Sequence, residues 1–485
     1  MNKTSLLIFS FFSGLIFTTN ALAKEQSELT IYQVMQRVID RYPSLKISEM
    51  EVAQAAEQRQ QIESNLGWIL NSSAGVTHDL TALGTPSDRL DVTSSIAKQL
   101  KSGATLSLSG GYRYEDSTLP LTGFPDPAHT TRLDLSYRMP LSQGEGNPLY
   151  AEGLVSAEAS HKLAKANLLL TKIALAEKVK DLFYASALTR ARLDNAKQAV
   201  QRARKLETYI NKNVKLGLSE DKDQLQARAQ TDSKVADLSA VQLQWKQQQS
   251  SLIRLMLEDV GKEILPLLMS TNNSLNSQLV NLIQATEEYH PAVKVSQAQL
   301  EIAESQINTT LDSKKDSLDL VMSVGTRTSD GKNTSGTTIS EKDWAGAVSI
   351  EYTHLFDDKG VSSKYKQAQL EKSIALQNIR KTNDDIRYTV SGLVAEIEAA
   401  NLAVKTAFKK LKSESLKLKE VESRFRSGRA DTAQLIQFQN EYSFAQLAYQ
   451  NQKVDMNNRI IALQIFTGQF WEQLNNQNMQ NGVTK

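Results

Sequence analysis

Residues able to do acid–base, nucleophilic or metal chemistry are sparse and scattered in this chain. The five histidines, His78, His129, His161, His290 and His354, form no His-x-x-x-His pair and sit in no acidic cluster of metal-ligand spacing. Cysteine is absent, which removes thiol nucleophiles, disulfides and a lipid-modified cysteine. No Gly-x-Ser-x-Gly elbow or phosphate-cradling glycine loop occurs. Gly144-Glu145-Gly146 lacks the strand and third glycine of a dinucleotide motif and reads as a turn where a strand meets a helix. The expectation is a protein that is not an enzyme, with no cofactor and no metal site. A formal net charge of +2, with lysines and acids interspersed, gives no basis for a nucleic-acid partner.

The informative residues are structural. Proline removes a backbone donor and breaks helix interiors, and it is absent from Leu149 to Leu265 and again from Ala292 onward. Each stretch holds a long heptad-patterned segment broken once by a glycine turn, at Gly217-Leu218-Ser219 and at Gly428-Arg429-Ala430. From Tyr150 to Lys215 the chain can run as one helix of roughly 100 Å. Its counterpart from Ser362 to Ser427 keeps 4-3 spacing through Ile386, Val390, Leu393, Ile397, Ala400, Val404, Ala407, Leu411, Leu418, Val421 and Phe425, with only Glu414 breaking it. Short helices precede each half, joined at Tyr42-Pro43 and His290-Pro291, which mark an internal repeat.

Between the short and long helices lie segments of period 2. Leu133, Leu135, Tyr137 and Met139 alternate with Arg132, Asp134, Ser136 and Arg138. Leu106, Leu108, Tyr112 and Tyr114 alternate with Ser107, Ser109 and Arg113, and weaker strands are expected over Leu90–Leu100 and around Leu70–Leu80. In the second half Leu318, Leu320, Met322 and Val324 form one apolar face, and Trp344, Val348, Ile350 and Tyr352 another. Thr326 to Asp343, rich in Gly, Ser, Thr and Asn, reads as an exposed loop.

Lys3, the apolar run from Leu6 to Phe17 and Ala21-Leu22-Ala23 have the pattern of a secretory signal peptide over residues 1–23. No later stretch is apolar enough for a spanning helix, so an exported chain that enters a membrane must do so through its strands. An open sheet edge in lipid leaves N–H and C=O groups unsatisfied, and single-chain barrels begin at about eight strands. Several copies must therefore pool their strands under ring symmetry, and the attached helices then form a second, coaxial ring.

These residues resemble the TolC-type outer-membrane efflux and secretion ducts over nearly the whole mature chain. The resemblance rests on Leu216-Gly217-Leu218-Ser219 with Asp223 and Gln224-Leu225-Gln226-Ala227-Arg228-Ala229-Gln230, on Arg424-Phe425-Arg426-Ser427-Gly428, and on Tyr137-Arg138-Met139-Pro140-Leu141 ahead of a long helix. It implies a mainly α fold with membrane β: duplicated helix-strand-helix halves in a homotrimer, whose outer-membrane β-barrel sits on a long coiled-coil α-helical barrel in the periplasm of a Gram-negative bacterium. It implies partners too, namely outer-membrane lipid, a periplasmic adaptor (membrane fusion) protein and an inner-membrane transporter of ABC or RND type, serving multidrug efflux or type I secretion.

On this reading residues 24–270 are the first repeat, with strands over about 69–139 and a hairpin over 150–258. Residues 271–475 are the second, with strands over about 317–356 and a hairpin over 362–467, and 476–485 form a flexible tail. The extra strand pair Leu90–Leu100 and Thr105–Tyr114 points to six strands per subunit and about eighteen in the ring, above the four of the family's simplest members. By position, Gly217, Leu218, Ser219, Gly428, Arg429 and Ala430 become the adaptor-binding tips, with Ser219 or Asp431 capping the next helix. Asp223, Phe425, Arg426, Arg429, Gln434 and Gln437 become gate positions: Asp223 matches a family gate aspartate, Phe425 lacks the hydroxyl of the usual aromatic partner, and the arginines offer a charged one instead. Gln434 and Gln437 stand where gate carboxylates often sit. The rival reading is an exported coiled-coil structural or adhesive protein without transport activity. It explains the helices and the export, but not why amphipathic strands occur twice at matching positions. A periplasmic adaptor would carry one hairpin, not two.

Overall fold

The computed structural model describes residues 26–80, 86–117, 125–259, 261–268 and 279–480; residues 1–23, expected from the sequence to be a signal peptide, lie outside them. In chain order the elements are β1 (Gln26–Leu29), α1 (Ile31–Arg41), α2 (Pro43–Ser64), β2 (Trp68–Leu80), β3 (Pro86–Gln99), β4 (Thr105–Ser117), β5 (Ala128–Pro140), α3 (Pro148–Lys215), α4 (Asp221–Met256) and β6 (Glu263–Pro266). Then follow α5 (Leu279–Tyr289), α6 (Pro291–Asp312), β7 (Ser317–Lys332), β8 (Thr338–Thr353), α7 (Lys359–Arg426), α8 (Thr432–Thr467) and α9 (Gln469–Gln480).

Duplication is visible in the lengths. Both α1 and α5 have 11 residues, and both α2 and α6 have 22. The long helices α3 and α7 have 68 residues each, and their return helices α4 and α8 have 36 each. Pro43 and Pro291 open α2 and α6, where a missing N–H costs nothing and a fixed φ suits the helix. The halves are not identical: among the described residues four strands lie between the short and long helices of the first and two in the second, β1 and β6 occur only in the first, and α9 only in the second.

Two units can be distinguished. One comprises Met1–Arg41, Val179–Thr271 and Leu402–Asn458. Here β1 and β6 pair in parallel, Gln26 opposite Glu263 through Leu29 opposite Pro266. Four-residue strands carry no readable alternation, and the sequence did not announce this sheet. The α4 side chain Gln249 extends it: its amide donates to the Ile264 carbonyl (2.9 Å) and its oxygen accepts from the Ile264 N–H (2.8 Å). Trp245 Nε1 donates to the buried Glu263 carboxylate at 2.7 Å. The α7 seam is buried at Leu418 and Val421 and half-buried at Val404, Ala407, Leu411 and Phe425. Glu414, the break in the heptads, is also half-buried and accepts from Lys417 Nζ at 2.8 Å.

The other unit comprises Tyr42–Lys178, Asn272–Asn401 and Arg459–Lys485. Its centre is a six-stranded antiparallel sheet in the order β2-β3-β4-β5-β7-β8. Register places Leu70, Ile96, Leu108, Leu135, Val324 and Gly346 in one row across all six strands. Rows on either side of it continue the same face with Tyr137, Met322 and Val348, then Leu133, Thr326 and Trp344. The face so formed is largely apolar through its middle rows, with polar residues such as His78, Asp88 and Asp330 toward one end, and the opposite face carries Arg89, Asp91, Arg113, Glu115, Arg132, Asp134, Arg138 and their Ser and Thr neighbours. None of the described residues covers the apolar face: Val76 is 82% exposed, Trp344 79% and Val348 73%. Both edge strands, β2 and β8, lack an outer partner among the described residues.

Some expectations are corrected. Thr326 to Asp343 is mostly strand, because β7 runs to Lys332 and β8 starts at Thr338. A tight turn suffices between them, since Asn333 Oδ1 accepts from the N–H groups of Ser335 and Thr337 while Gly336 adopts a φ of 78°. Ladder pairing overrides the loop-like composition. Residues 476–480, assigned to a tail, complete α9, whose Phe470 and Leu474 are buried; residues 481–485 lie outside the described part. Gly144-Glu145-Gly146 is the turn between β5 and α3, tied by the Gly144 N–H to Asp312 at 2.8 Å. The strand pair β3–β4 lies inside this sheet, which has six strands.

Candidate functional site

The site expected from the sequence lies at the two hairpin turns, both within the first unit. They are built alike. At the end of α3 the Gly217 N–H donates to Val214 (2.9 Å) and the Leu218 N–H reaches back to Asn213 (2.8 Å). At the end of α7 the Gly428 N–H donates to Phe425 (3.1 Å) and the Arg429 N–H to Arg424 (2.8 Å). Gly217 has φ 70° and Gly428 has φ 72°, the left-handed conformation that this helix-ending motif needs. A Cβ in that conformation costs about 1–2 kcal/mol, which accounts for glycine at both turns.

The restarts differ. Asp431 caps α8, its Oδ1 accepting from the Gln434 N–H at 2.6 Å. Ser219 does not cap α4; Glu220 occupies the N-cap position and makes no side-chain cap bond. Both helices restart four residues after the turn glycine, so Glu220 is the counterpart of Asp431, and Ser219, the counterpart of Ala430, falls one residue short of the capping position.

Beneath the turns the hairpins share a core of Leu206, Ile210, Ala227, Leu418, Val421, Leu435 and Ile436. Phe425 and Ala430 pack against it, and the Phe425 ring meets that of Tyr209 at 5.8 Å between centroids. Phe425 is thus anchored by apolar packing rather than by a polar link, and Tyr209 is its aromatic partner. Gln230 Nε2 donates to Asn440 Oδ1 at 3.1 Å, joining α4 to α8. Outside this core three leucines project: Leu216 at 61%, Leu218 at 73% and Leu225 at 68% exposure.

The charged gate candidates are not joined within one chain. Asp223 makes no ion pair with Arg424, Arg426 or Arg429 among the described residues; its backbone N–H donates to the Glu220 carbonyl at 3.0 Å. Arg426 approaches its own-helix Glu422 at 4.0 Å. Gln434 is exposed, and Gln437 Nε2 donates to Glu441 Oε1 at 2.9 Å. Glu441, one turn beyond, belongs to a cluster that sequence reasoning missed: Lys417 Nζ lies 2.8 Å from Glu414, 3.5 Å from Glu441 and over the Phe438 ring. The signal was there in Glu414, whose acid at a seam position requires a cation nearby.

Residues 102–256 match the family of outer membrane efflux proteins, a stretch that runs from β4 through the first hairpin turn to the end of α4. That family is one of efflux proteins, not enzymes. The fold of this chain is shared with solved outer-membrane channels. The outer-membrane channel OprN aligns at a TM-score of 0.66 and 13% identity, over 90% of this chain and 89% of its own. The outer membrane protein VceC from Vibrio cholerae aligns at 0.66 and 15%, over 90% and 96%. The Campylobacter jejuni CmeC outer membrane channel aligns at 0.63 and 16%, over 90% and 85%. At such identities the likeness is one of fold. No curated protein sequence matches this chain.

Proposed function

We propose that this protein is one subunit of a trimeric duct that exports small molecules or proteins across the periplasm and outer membrane, working with an inner-membrane transporter and a periplasmic adaptor. The observation that carries this reading is the open six-stranded sheet, apolar through the middle of one face and polar across the other, with a strand at each edge that has no outer partner among the described residues. In lipid each unsatisfied edge group would cost several kcal/mol, so β8 of one copy must pair with β2 of the next. Three copies supply eighteen strands, with the apolar face toward lipid and the arginine- and serine-bearing face toward a water-filled lumen. The exposed leucines at the tips, Leu216, Leu218 and Leu225, suit docking of an adaptor's helical hairpin around Gly217 and Gly428. Closure of the duct rests on Asp223 meeting an arginine of a neighbouring copy, since no such pair forms within one chain.

Mass measurement on the detergent-solubilised protein tests the assembly. Three chains per particle, holding together until heated, are expected; a stable monomer with intact secondary structure would sink the reading.

A further inference from the structure

Five arginines stand on the polar face of the sheet, and three are matched to carboxylates. Arg89 meets Glu115 at 3.2 Å, Arg113 meets Asp91 at 2.6 Å, and Arg138 meets both Asp319 (2.9 Å) and Glu351 (2.6 Å). Arg132 and Arg327 break the pattern. They are direct register partners on β5 and β7, and neither has an ion-pair or hydrogen-bond partner among the described residues. Asp343 of β8 stands opposite Arg327, and Asp134 lies two residues along from Arg132, but neither carboxylate forms an ion pair with them. Like charges directly opposite on neighbouring strands are destabilising, so the pair is an expense unless something negative bridges it.

The surroundings suit such a bridge. The β4 residue opposite Arg132 is Gly111, and the Arg132 side chain lies across it: a Cβ there would come within 3.0 Å of Arg132 Nε and 3.4 Å of Thr93. The bare backbone leaves a shallow hollow of about 120 Å³ between Arg113, Arg132, Arg327, Asp91, Thr93 and Thr130. Its single carboxylate is already held by Arg113, so two positive charges remain without a counter-charge in the hollow. Two free guanidinium forks and two hydroxyls match an anion with several acceptor oxygens and a double charge.

We propose that the Arg132–Arg327 hollow is a binding site for a tetrahedral dianion, a phosphate, phosphate monoester or sulfate group. It would sit on the inner wall of the duct, and to that extent it rests on the reading of this face as a lumen. Binding itself can be read without conduction. Isothermal titration of the full chain in an uncharged detergent, with sodium phosphate and with sodium sulfate, should give saturable binding that chloride at matched ionic strength does not. Arg132→Gln and Arg327→Gln should each weaken it roughly tenfold or more, and Arg132→Lys by less, because lysine keeps the charge and loses the fork. Arg89→Gln, which removes a matched arginine, should leave it unchanged. Addition of phosphatidylglycerol vesicles separates a free anion from a lipid headgroup: competition-free phosphate binding supports the former. No saturable binding of either dianion, equal weakening by Arg89→Gln, or Arg132-dependent binding of vesicles alone would overturn the proposal. Phosphate binding by a non-conducting or monomeric protein would leave the site standing and remove only the duct.

Discussion

At the scale of single residues, position decides what a side chain can do. His290 looked like a helix break in the sequence. In the fold it is buried beside Phe466, and its Nδ1 accepts from the Ala292 N–H at 3.2 Å at the start of α6. Protonation at Nδ1 would remove that bond and place a charge among apolar groups, and burial accordingly holds the His290 pKa below the ordinary imidazole value. The native state then binds fewer protons than the unfolded chain. Its stability contribution is complete above the ordinary imidazole range and is lost as pH falls through that range toward the folded value. Thermal unfolding followed by circular dichroism should show a falling midpoint from about pH 7 to pH 5, with a slope of at most about 1.4 kcal/mol per pH unit from this one proton. His290→Gln should flatten that slope; an unchanged slope would assign it to other groups.

At the scale of elements, the long helices hold together through thin seams rather than a thick core. Alanine at Ala400 and Ala407 lets neighbours approach closely, and the larger seam residues carry the burial. Near the tips Phe425 of α7 packs on the Leu206–Ile436 cluster, beside the buried Leu418 and Val421, and on Tyr209. Deleting a fully buried phenylalanine costs about 3–5 kcal/mol, and a half-buried one about half of that. Phe425→Ala should therefore loosen the tip while leaving the sheet untouched. Hydrogen exchange would register this as faster exchange of the amides around 421–430, at unchanged protection of β3 to β5. The strands were legible by alternation where the apolar residues are large, as in β5. They were read too short in β7 and β8, where Ser, Thr and Gly on both faces mask the period and hydrogen bonding to a neighbour decides.

For the whole molecule, a duct must close as well as conduct. In the proposed gate Gln434 and Gln437 take positions where carboxylates would concentrate cations, and amides offer only dipoles. Single-channel recording should then show that Asp223→Ala raises conductance and that the pair Gln434→Asp and Gln437→Asp creates block by multivalent cations. Block of the unmodified channel by micromolar trivalent cations from the periplasmic side would contradict this account of the gate.

The sequence by itself determined what is local and periodic. The heptads, the proline-free lengths, the two glycine turns and the duplication follow from 3.6-residue and two-residue patterning and from the conformational limits of proline and glycine, and each needs only neighbours in the chain. The tertiary structure decided what depends on distant partners. It set the place of β3 and β4 inside a six-stranded sheet, the β1–β6 pairing stitched by Gln249, the burial of His290, and the adjacency of Arg132 and Arg327, which are 195 positions apart in the chain yet share one rung of the ladder. Register across a sheet is a relation between strands, and no single strand's alternation contains it.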